Sequence, residues 1–273
     1  MLNPYLVESP AVIAFSGGAT SGFMLKQIID AYGGSLPKDV VPVFANTGLE
    51  HPKTYDFVQR CADEWKVEVH WVEYAGKKTW KRVNYETASP NGEPFEILIA
   101  ERKYLPNPVT RFCTVELKIR TMDRYAIQGL GFEEGHTEVV GLRHDEPRRV
   151  HRIKPNKVDN DVYCPMFWAG HNISHVETFW NAQNFRLNIA RIFGNCVGCF
   201  LKGTAKIERI AKEDPESLEW WARQEEKLIK SDYAKSGRFR YDRPSYRGLI
   251  NMAASQQTFD FQDNDTLPCH CTE

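Results

Sequence analysis

The stretch VIAFSGGATSGFMLKQIIDAYGG, residues 12–34, decides the fold. Its first four residues, 12–15, are apolar and a glycine pair soon follows them, which predicts a short buried strand. Apolar residues then recur at helical spacing from Phe23 to Ile29, and this helix is expected to end at Gly33. A polar turn rich in Ser and Gly therefore lies between a strand and a helix.

This turn, residues 16–21, is called the Ser16 loop below. Unpaired backbone N–H groups and the positive end of the helix dipole favour an anion at a helix N-terminus. Glycines let the backbone approach that anion closely, and hydroxyl groups add hydrogen-bond donors. The loop therefore predicts phosphate binding, and the alternative is an ordinary tight turn with a helix cap. The residues assigned to the phosphate are Ser16, Gly17, Gly18, Thr20 and Ser21.

Composition narrows the class of protein. The chain has 273 residues and a formal net charge of −1, so its overall charge does not favour nucleic acid or membrane surfaces. No apolar run approaches the length of a membrane span, and the N-terminus lacks a signal-peptide pattern. A cytoplasmic location without a membrane partner is expected. The seven cysteines include the close pairs Cys196/Cys199 and Cys269/Cys271, which indicate metal binding or redox chemistry rather than structural disulfides.

Strands and helices alternate along the first half of the chain. Residues 39–48 read as a second buried strand, residues 54–65 as an amphipathic helix and residues 67–74 as a third strand. This alternation predicts an α/β fold with a doubly wound, mainly parallel sheet, followed by a mostly helical C-terminal extension. The expected boundaries are 1–190 for the nucleotide-binding α/β domain and 191–273 for the extension, which carries both cysteine pairs.

The remaining segments are patterned less uniformly. Residues 77–107 are expected to form a long loop over the site, and the tail from about residue 238 is weakly patterned. Ser174 with Glu177 three residues later predicts a helix capped by a capping box. Other expected elements are a helix over 111–131, a strand from 137 followed by a charged loop, and helical structure over 204–229 with a break near Pro215.

Several motifs together resemble a known superfamily. The segment FSGGATS resembles the SGGxDS pyrophosphate-binding loop of the adenine nucleotide α-hydrolase-like (PP-loop) superfamily, which includes ATP pyrophosphatases and phosphoadenylyl-sulfate (PAPS) reductases. The segments FANTGLEHPKTYDFV, RFCTVELKIRTMDRYA and GLRHDEPRR resemble three further reductase motifs, in the family's order. Beyond these, NCVGCFLKG and the terminal Cys-x-Cys resemble the phage and bacterial PAPS reductase-like branch.

The resemblance implies an adenine nucleotide site and thiol chemistry on a sulfonucleotide. In that chemistry a thiol, here assigned to Cys271, takes the sulfonyl group, and a thioredoxin-type donor then releases sulfite. Arg143 is expected to make a second anion contact, and Lys118, near Cys113, to meet the substrate anion or to tune a cluster. The neighbouring wall of the nucleotide site is assigned to Asn46, Thr47 and Gly48.

The cysteines suggest a metal centre beside the nucleotide. Cys196 and Cys199, two residues apart, can chelate one iron or zinc from a single turn. The family resemblance adds Cys113 as a third ligand. Phe112 stands where the family has a second cysteine, so the fourth ligand is expected from elsewhere in the chain and is assigned to Cys269, with Cys271 and Cys164 as alternatives. A [4Fe–4S] cluster is the preferred expectation, and zinc or a set of reduced thiols are the alternatives.

Two other functions stay open at this stage. Thr20 stands where the ATP pyrophosphatases carry Asp, yet the SGG-x-Thr-Ser pattern is closer to their loop than to the acidic loop of the reductases. The second function is therefore ATP binding with magnesium, adenylation of an acceptor, and sulfur transfer to a nucleobase in nucleic acid. The third is a non-catalytic nucleotide-binding iron–sulfur protein.

Overall fold

In the computed structural model, which describes residues 3–153, 161–229 and 237–255, six strands form one sheet in the order β4-β3-β2-β1-β5-β6. Neighbouring strands are parallel except β3 and β4, which are antiparallel. The strands are β1 (Ala11–Ala14), β2 (Val40–Asn46), β3 (His70–Tyr74), β4 (Trp80–Val83), β5 (Thr137–Val139) and β6 (Val162–Tyr163).

Ten α-helices connect and cover these strands in the described part of the chain. A π-helical turn (Thr114–Ile119) leads into the fourth, and 3-10 turns lie at Arg191–Phe193 and Pro215–Leu218. The helices are α1 (Ala19–Ala31), α2 (Pro52–Trp65), α3 (Glu93–Arg102), α4 (Arg120–Leu130), α5 (Pro147–Val150), α6 (Pro165–Trp168), α7 (Ile173–Ala182), α8 (Thr204–Glu213), α9 (Glu219–Ile229) and α10 (Tyr246–Ala254).

The central strands are buried because helices pack on both faces of the sheet. Ile13 of β1 and Phe44 of β2 lie in a hydrophobic cluster with α1, α2 and α7, whereas Val12 and Val43 lie in a cluster with α4 on the opposite face. Side chains alternate between faces along a strand, so a strand covered on both faces reads as one continuous apolar run. This arrangement confirms the prediction of a doubly wound, mainly parallel sheet.

The C-terminal part of the described chain builds its own hydrophobic cluster. Trp221 of α9, Phe239 and Tyr246 of α10 stack around one another, and Phe95 of α3 contacts Trp221 edge-on. Within residues 191–229 and 237–255 the extension is mostly helical, and the helical break expected near Pro215 is present as a 3-10 turn. The domain boundary at residue 190 stays a prediction.

Three local predictions differ from the structure. Residues 77–107 are not a long loop, because they contain β4 and α3. Strand β4 lies at the sheet edge with partly exposed side chains, so it lacks an apolar pattern. The tail contains α10, and α7 is capped by Asn172 rather than Ser174, with His175 in place of Glu177 completing the capping box.

The strand order places a crevice at the carboxyl ends of β1 and β5. Strands β2 and β3 follow on one side of β1, and β5 and β6 follow on the other. In open α/β sheets, ligands bind in the crevice where the strand order reverses in this way. Within the described residues, no helix is both long and apolar enough to cross a membrane.

Candidate functional site

The Ser16 loop joins β1 to α1 and has the geometry of an anion site. Gly17 adopts a φ of 75°, and a Cβ there would lie 2.6 Å from Thr54 Cγ2, so only glycine fits. Ser21 Oγ donates to the Gly18 carbonyl oxygen at 3.1 Å and lies 3.0 Å from Ser16 Oγ, which closes the loop. The first turn of α1, residues 19–22, contains no Asp or Glu to compete with an anion.

Arg143 follows β5 and reaches the same loop. Its Nη1 lies 3.4 Å from Thr20 Oγ1, while its Nε donates to Asp145 Oδ1 at 3.0 Å. Gly141, two residues before Arg143, lies close to α1, because a Cβ added to it would be 3.5 Å from Ser21 Cα. The sequence-predicted second anion contact therefore lies beside the predicted phosphate loop.

A cavity of about 760 Å³ opens in front of the Ser16 loop and is called the cationic cavity below. Besides loop residues, its lining includes Glu50, Trp180 and the segment around residues 186–195. Four of its lining side chains are basic, namely Arg143, Arg186, Arg191 and Lys206. A concentration of cationic groups around a helix N-terminus suits a ligand with several negative charges.

The second polar turn, residues 46–48, is buried rather than open to this cavity. Asn46 Oδ1 accepts from the Gly48 backbone N–H at 2.9 Å and from the Tyr55 hydroxyl at 3.0 Å. Thr47 Oγ1 donates to both carboxylate oxygens of Glu50 at 2.8 Å. The turn therefore acts by holding Glu50, a residue that the sequence reasoning did not single out, at the wall of the cationic cavity.

Lys118 lies between this cavity and a second one. Its Nζ is 3.6 Å from Glu50 Oε1, and its side chain lines a pocket of about 250 Å³, called the apolar pocket below. Ser16 lines both the cationic cavity and the apolar pocket, so both spaces border this residue. Apolar residues from β1, β2, α4 and the segment directly after β5 form most of its wall, namely Ala14, Val43, Ala45, Met122, Val140 and Leu142.

Four ionisable side chains line this pocket, namely Lys118, Glu138 of β5, Arg149 of α5 and Arg152. Burial raises the pKa of Glu138 from its ordinary value of 4.5 to about 7, and the nearby Asp123 adds to the increase. The sequence reasoning did not select Glu138. A signal was present, however, because Glu138 is a charged residue directly before the apolar pair Val139 and Val140.

The raised pKa of Glu138 predicts how stability changes with pH. Between pH 4.5 and pH 7 the Glu138 carboxyl is protonated in the folded state and ionised in the unfolded state. The free energy of unfolding therefore falls as pH rises through this range. Glutamine does not titrate, so the variant does not lose this stability. We expect the free energy of unfolding of Glu138→Gln, relative to that of the wild type, to be about 2–3 kcal/mol higher at pH 8 than at pH 5. Urea unfolding of both proteins at both pH values measures this. If the difference in free energy of unfolding between variant and wild type is the same at pH 5 and pH 8, the prediction is wrong.

The cysteines predicted as metal ligands lie at one edge of the C-terminal hydrophobic cluster. Cys113, Cys196 and Cys199 all pack against it, and Cys196 Sγ is 3.5 Å from Thr47 Oγ1. Across residues 3–153, 161–229 and 237–255, however, no three His, Cys, Asp or Glu side chains are arranged to hold a metal ion. The described residues alone therefore do not fit a cluster or zinc, and the metal centre stays a prediction.

The remaining cysteines divide into buried and undescribed ones. Cys269, the predicted fourth ligand, and Cys271, the predicted nucleophile, lie outside the described residues. Cys164, the alternative ligand, is buried, and this burial raises the pKa of its thiol to about 12. Cys61 lies in the core between α2 and the sheet, where burial also raises its pKa well above the usual range.

Comparisons with known proteins add a family to this geometry. A family model described as "Phosphoadenosine phosphosulfate reductase domain" matches residues 10–176. The chain is 27% identical over 267 residues to the uncharacterized nin region protein ORF290 of Escherichia phage lambda, covering 94% of this chain and 87% of that protein. It is 23% identical to an uncharacterized protein of Methanocaldococcus jannaschii, covering 79% of this chain and 41% of the relative.

A solved structure is also similar. The phosphate complex of PAPS reductase from Candida auris aligns with a TM-score of 0.40 and 15% identity, covering 66% of this chain and 79% of that one.

Proposed function

The chain belongs to the phosphoadenosine phosphosulfate reductase domain family, and on that premise we propose that it is an enzyme acting on an adenine nucleotide. The proposal places the phosphates of the nucleotide at the Ser16 loop and its base in the apolar pocket. The observation that carries it is the position of Ser16. This one residue lines both spaces, so a single ligand with an apolar base and anionic phosphates spans them.

The reaction that we propose first is reduction of a sulfonucleotide. A thiolate, assigned to Cys271, attacks the sulfur, the sulfur–oxygen bond to the phosphate breaks, and a thiosulfonate forms. A second thiol, from a thioredoxin-type donor, then attacks the cysteine sulfur, giving a disulfide and sulfite. Arg143, beside Thr20 of the loop, would stabilise the charge that develops on the leaving phosphate.

One observation favours a second candidate, ATP cleavage. Glu50 brings a carboxylate to the wall of the cationic cavity, and the other carboxylate in its lining, Glu177, is paired with Arg191. Mg²⁺ is commonly held by one or two carboxylates together with substrate phosphates, so Glu50 would suit a magnesium–ATP complex. In that case the enzyme would release pyrophosphate and adenylate an acceptor, for which a nucleic acid is one proposal.

Turnover assays with both substrates separate these candidates. We expect full-length protein with dithiothreitol or a thioredoxin to convert 3′-phosphoadenosine 5′-phosphosulfate into equal amounts of sulfite and adenosine 3′,5′-bisphosphate. Arg143→Met should lower kcat by about 100-fold, because it removes a donor aimed at the developing negative charge. Sulfite and nucleotide product are measured in the same reaction, and pyrophosphate release from magnesium–ATP is measured in parallel.

A charge-matched control shows whether the effect belongs to the site. Arg209 lies on the exposed surface of α8 and pairs with Glu213, so Arg209→Met should leave kcat within about twofold. Pyrophosphate release without sulfite would replace the first candidate with the second. If neither substrate reacts and neither nucleotide binds, the proposed function is wrong.

A further inference from the structure

Three arginines share one buried carboxylate at the π-helical turn. Arg102 Nη2 lies 2.5 Å from Glu116 Oε1, and Arg120 Nη1 lies 2.6 Å from the same oxygen. Arg124 Nη2 lies 3.4 Å from the other oxygen, Oε2. The Glu116 side chain is only 7% exposed, whereas those of Arg102 and Arg120 are 41% and 55% exposed. Glu116 therefore holds the guanidiniums side by side, and it supplies far fewer acceptors than they have donors.

Lysines from two further segments extend this cluster over the surface. Lys77 and Lys78 follow β3, and the backbone N–H of Lys77 donates to Glu101 Oε1 at 2.9 Å. Glu101 directly precedes Arg102, and Lys103 follows at the end of α3. All three lysines are exposed. The resulting surface is called the basic face below and consists of Lys77, Lys78, Arg102, Lys103, Arg120 and Arg124.

The basic face is more positive than the chain as a whole. Its cationic side chains lie together with the carboxylates of Glu101 and Glu116, and Asp123 of α4 adds a third carboxylate on the side of Glu138. Cations stay in excess there, on a chain whose formal net charge is −1. A local excess of this kind attracts polyanions even where the whole protein is nearly neutral.

The composition of the surface favours a nucleic-acid strand over an acidic protein. A strand carries its phosphates in a closely spaced row, so it can meet several neighbouring cations at once. Two aromatic rings lie beside the arginines: Arg102 Cζ is 5.6 Å from the centre of the Phe112 ring, and Tyr104 packs edge-on against Phe112 at 5.0 Å. Both rings are partly exposed. Basic side chains next to aromatic rings are typical of surfaces that bind single strands.

The π-helical turn Thr114–Ile119 places this surface beside the apolar pocket. Thr114, Lys118 and Ile119 line that pocket, whereas Glu116 of the same turn holds the arginines. Such turns are rare and are frequent at functional sites. One short segment thus connects the pocket to the basic face.

We propose that the basic face binds a single-stranded nucleic acid through its phosphates and holds it beside the apolar pocket. The inference deepens the second candidate under the proposed function, and its role as an acceptor site rests on that function, because it names the class of acceptor and the surface that receives it. Binding of the strand itself does not depend on the reaction.

Salt-dependent binding of an oligonucleotide to the full chain tests this proposal. The probe is a labelled single strand of about 12 nucleotides, followed by fluorescence anisotropy between about 50 and 200 mM salt. The variant combines Lys77→Gln, Lys78→Gln and Lys103→Gln, which leaves Glu116 and its arginines in place. We expect binding to weaken at least about tenfold, and the slope of log K against log salt to become less steep by about 2.

A matched triple variant removes the same charge elsewhere. Lys38, Lys66 and Lys212 are exposed and lie outside the basic face, and Lys66, like Lys78 and Lys103, has a left-handed backbone conformation. Replacing these three lysines by Gln should leave strand binding within about twofold, because salt screens charges that are distant from the strand. Calorimetry with ADP on both variants should give the wild-type affinity, which shows that the nucleotide site remains folded.

Four outcomes would overturn the inference. They are an absence of strand binding by the wild type, equal weakening in the two triple variants, an unchanged salt slope in the first variant, and displacement of the strand by poly-L-glutamate as effectively as by unlabelled oligonucleotide. The last outcome would assign the basic face to an acidic protein. If ADP binds and the strand does not, this inference fails alone. If the strand binds and neither nucleotide substrate binds or reacts, the proposed function fails while the basic face keeps its ligand.

Discussion

Gly17→Ala is expected to lower the free energy of unfolding by about 2–5 kcal/mol. The residue has a φ of 75°, which is unfavourable for alanine. The added Cβ would also lie 2.6 Å from Thr54 Cγ2 and 3.0 Å from Val58 Cγ2. Both side chains are buried in α2, so the Ser16 loop is the part that must move.

The same change should remove nucleotide binding. Displacing the loop would misplace the N–H groups at the start of α1, and losing two hydrogen bonds to a charged group weakens binding by about 100-fold or more. Circular dichroism with urea measures the stability, and calorimetry with ADP measures the binding.

Gly33→Ala is a matched control for this variant. Gly33 has a φ of 73°, similar to that of Gly17, but a Cβ there would meet nothing within 4 Å. The expected cost is therefore only about 1–2 kcal/mol, with ADP binding retained. Equal effects of the two substitutions would show that the conformation alone, and not the contact with α2, makes Gly17 necessary.

Glu73→Ala is the second change with a large expected effect, a loss of about 3–5 kcal/mol in the free energy of unfolding. The Glu73 side chain is fully buried. It accepts from Asn46 Nδ2 at 2.7 Å, from the Ser89 backbone N–H at 2.6 Å and from Ser89 Oγ at 2.7 Å. Lys81 Nζ lies 2.8 Å from Glu73 Oε2, the oxygen that also accepts from Ser89 Oγ. Alanine would leave the backbone N–H and hydroxyl of Ser89 without this acceptor inside the protein, whereas Asn46 Nδ2 would keep its hydrogen bond to the Ser89 carbonyl oxygen.

This carboxylate also reaches the site through Asn46. With its Nδ2 held by Glu73, Asn46 turns Oδ1 towards Gly48 and thereby shapes the turn that carries Glu50. We therefore expect Glu73→Ala to weaken ADP binding as well as stability, and both are measured on the same preparation. Glu68→Ala, an exposed carboxylate paired with Arg82, should cost less than about 1 kcal/mol. A cost for Glu73→Ala as small as this would contradict the argument.

The sheet could be predicted because its central strands are unusually apolar. Residues 12–15 and 40–45 have no polar member, and such runs are typical of parallel strands covered on both faces. Strand β4 could not be predicted in this way, because it is an antiparallel edge strand with partly exposed side chains. Helix α3 was missed although Phe95, Leu98 and Ile99 have helical spacing, because the Pro and Gly residues before it favoured a loop.

The candidate site could be predicted where it follows from local sequence. The Ser16 loop depends on its own residues, whereas the apolar pocket is assembled from β1, β2, β5 and α4. Glu138 and Glu50 could not be predicted from local sequence, because the strands and turns that form the walls around them come together only in the folded chain. For the turn at residues 46–48, local sequence was misleading. Its polar residues predict a wall of the nucleotide site, whereas the Asn46 side chain makes buried hydrogen bonds within the protein.

The pairing of β1 with β5 has a consequence for the growing polypeptide. Ala11 is in register with Val40 on one side and with Thr137 on the other. During synthesis the Ser16 loop emerges early, but β5, Arg143 and Arg149 leave the ribosome only after more than a hundred further residues, several seconds later at about 5–20 residues per second. A nascent chain therefore presents the Ser16 loop without the apolar pocket, and if the proposed function holds, nucleotide is expected to stabilise only chains that have grown past this point.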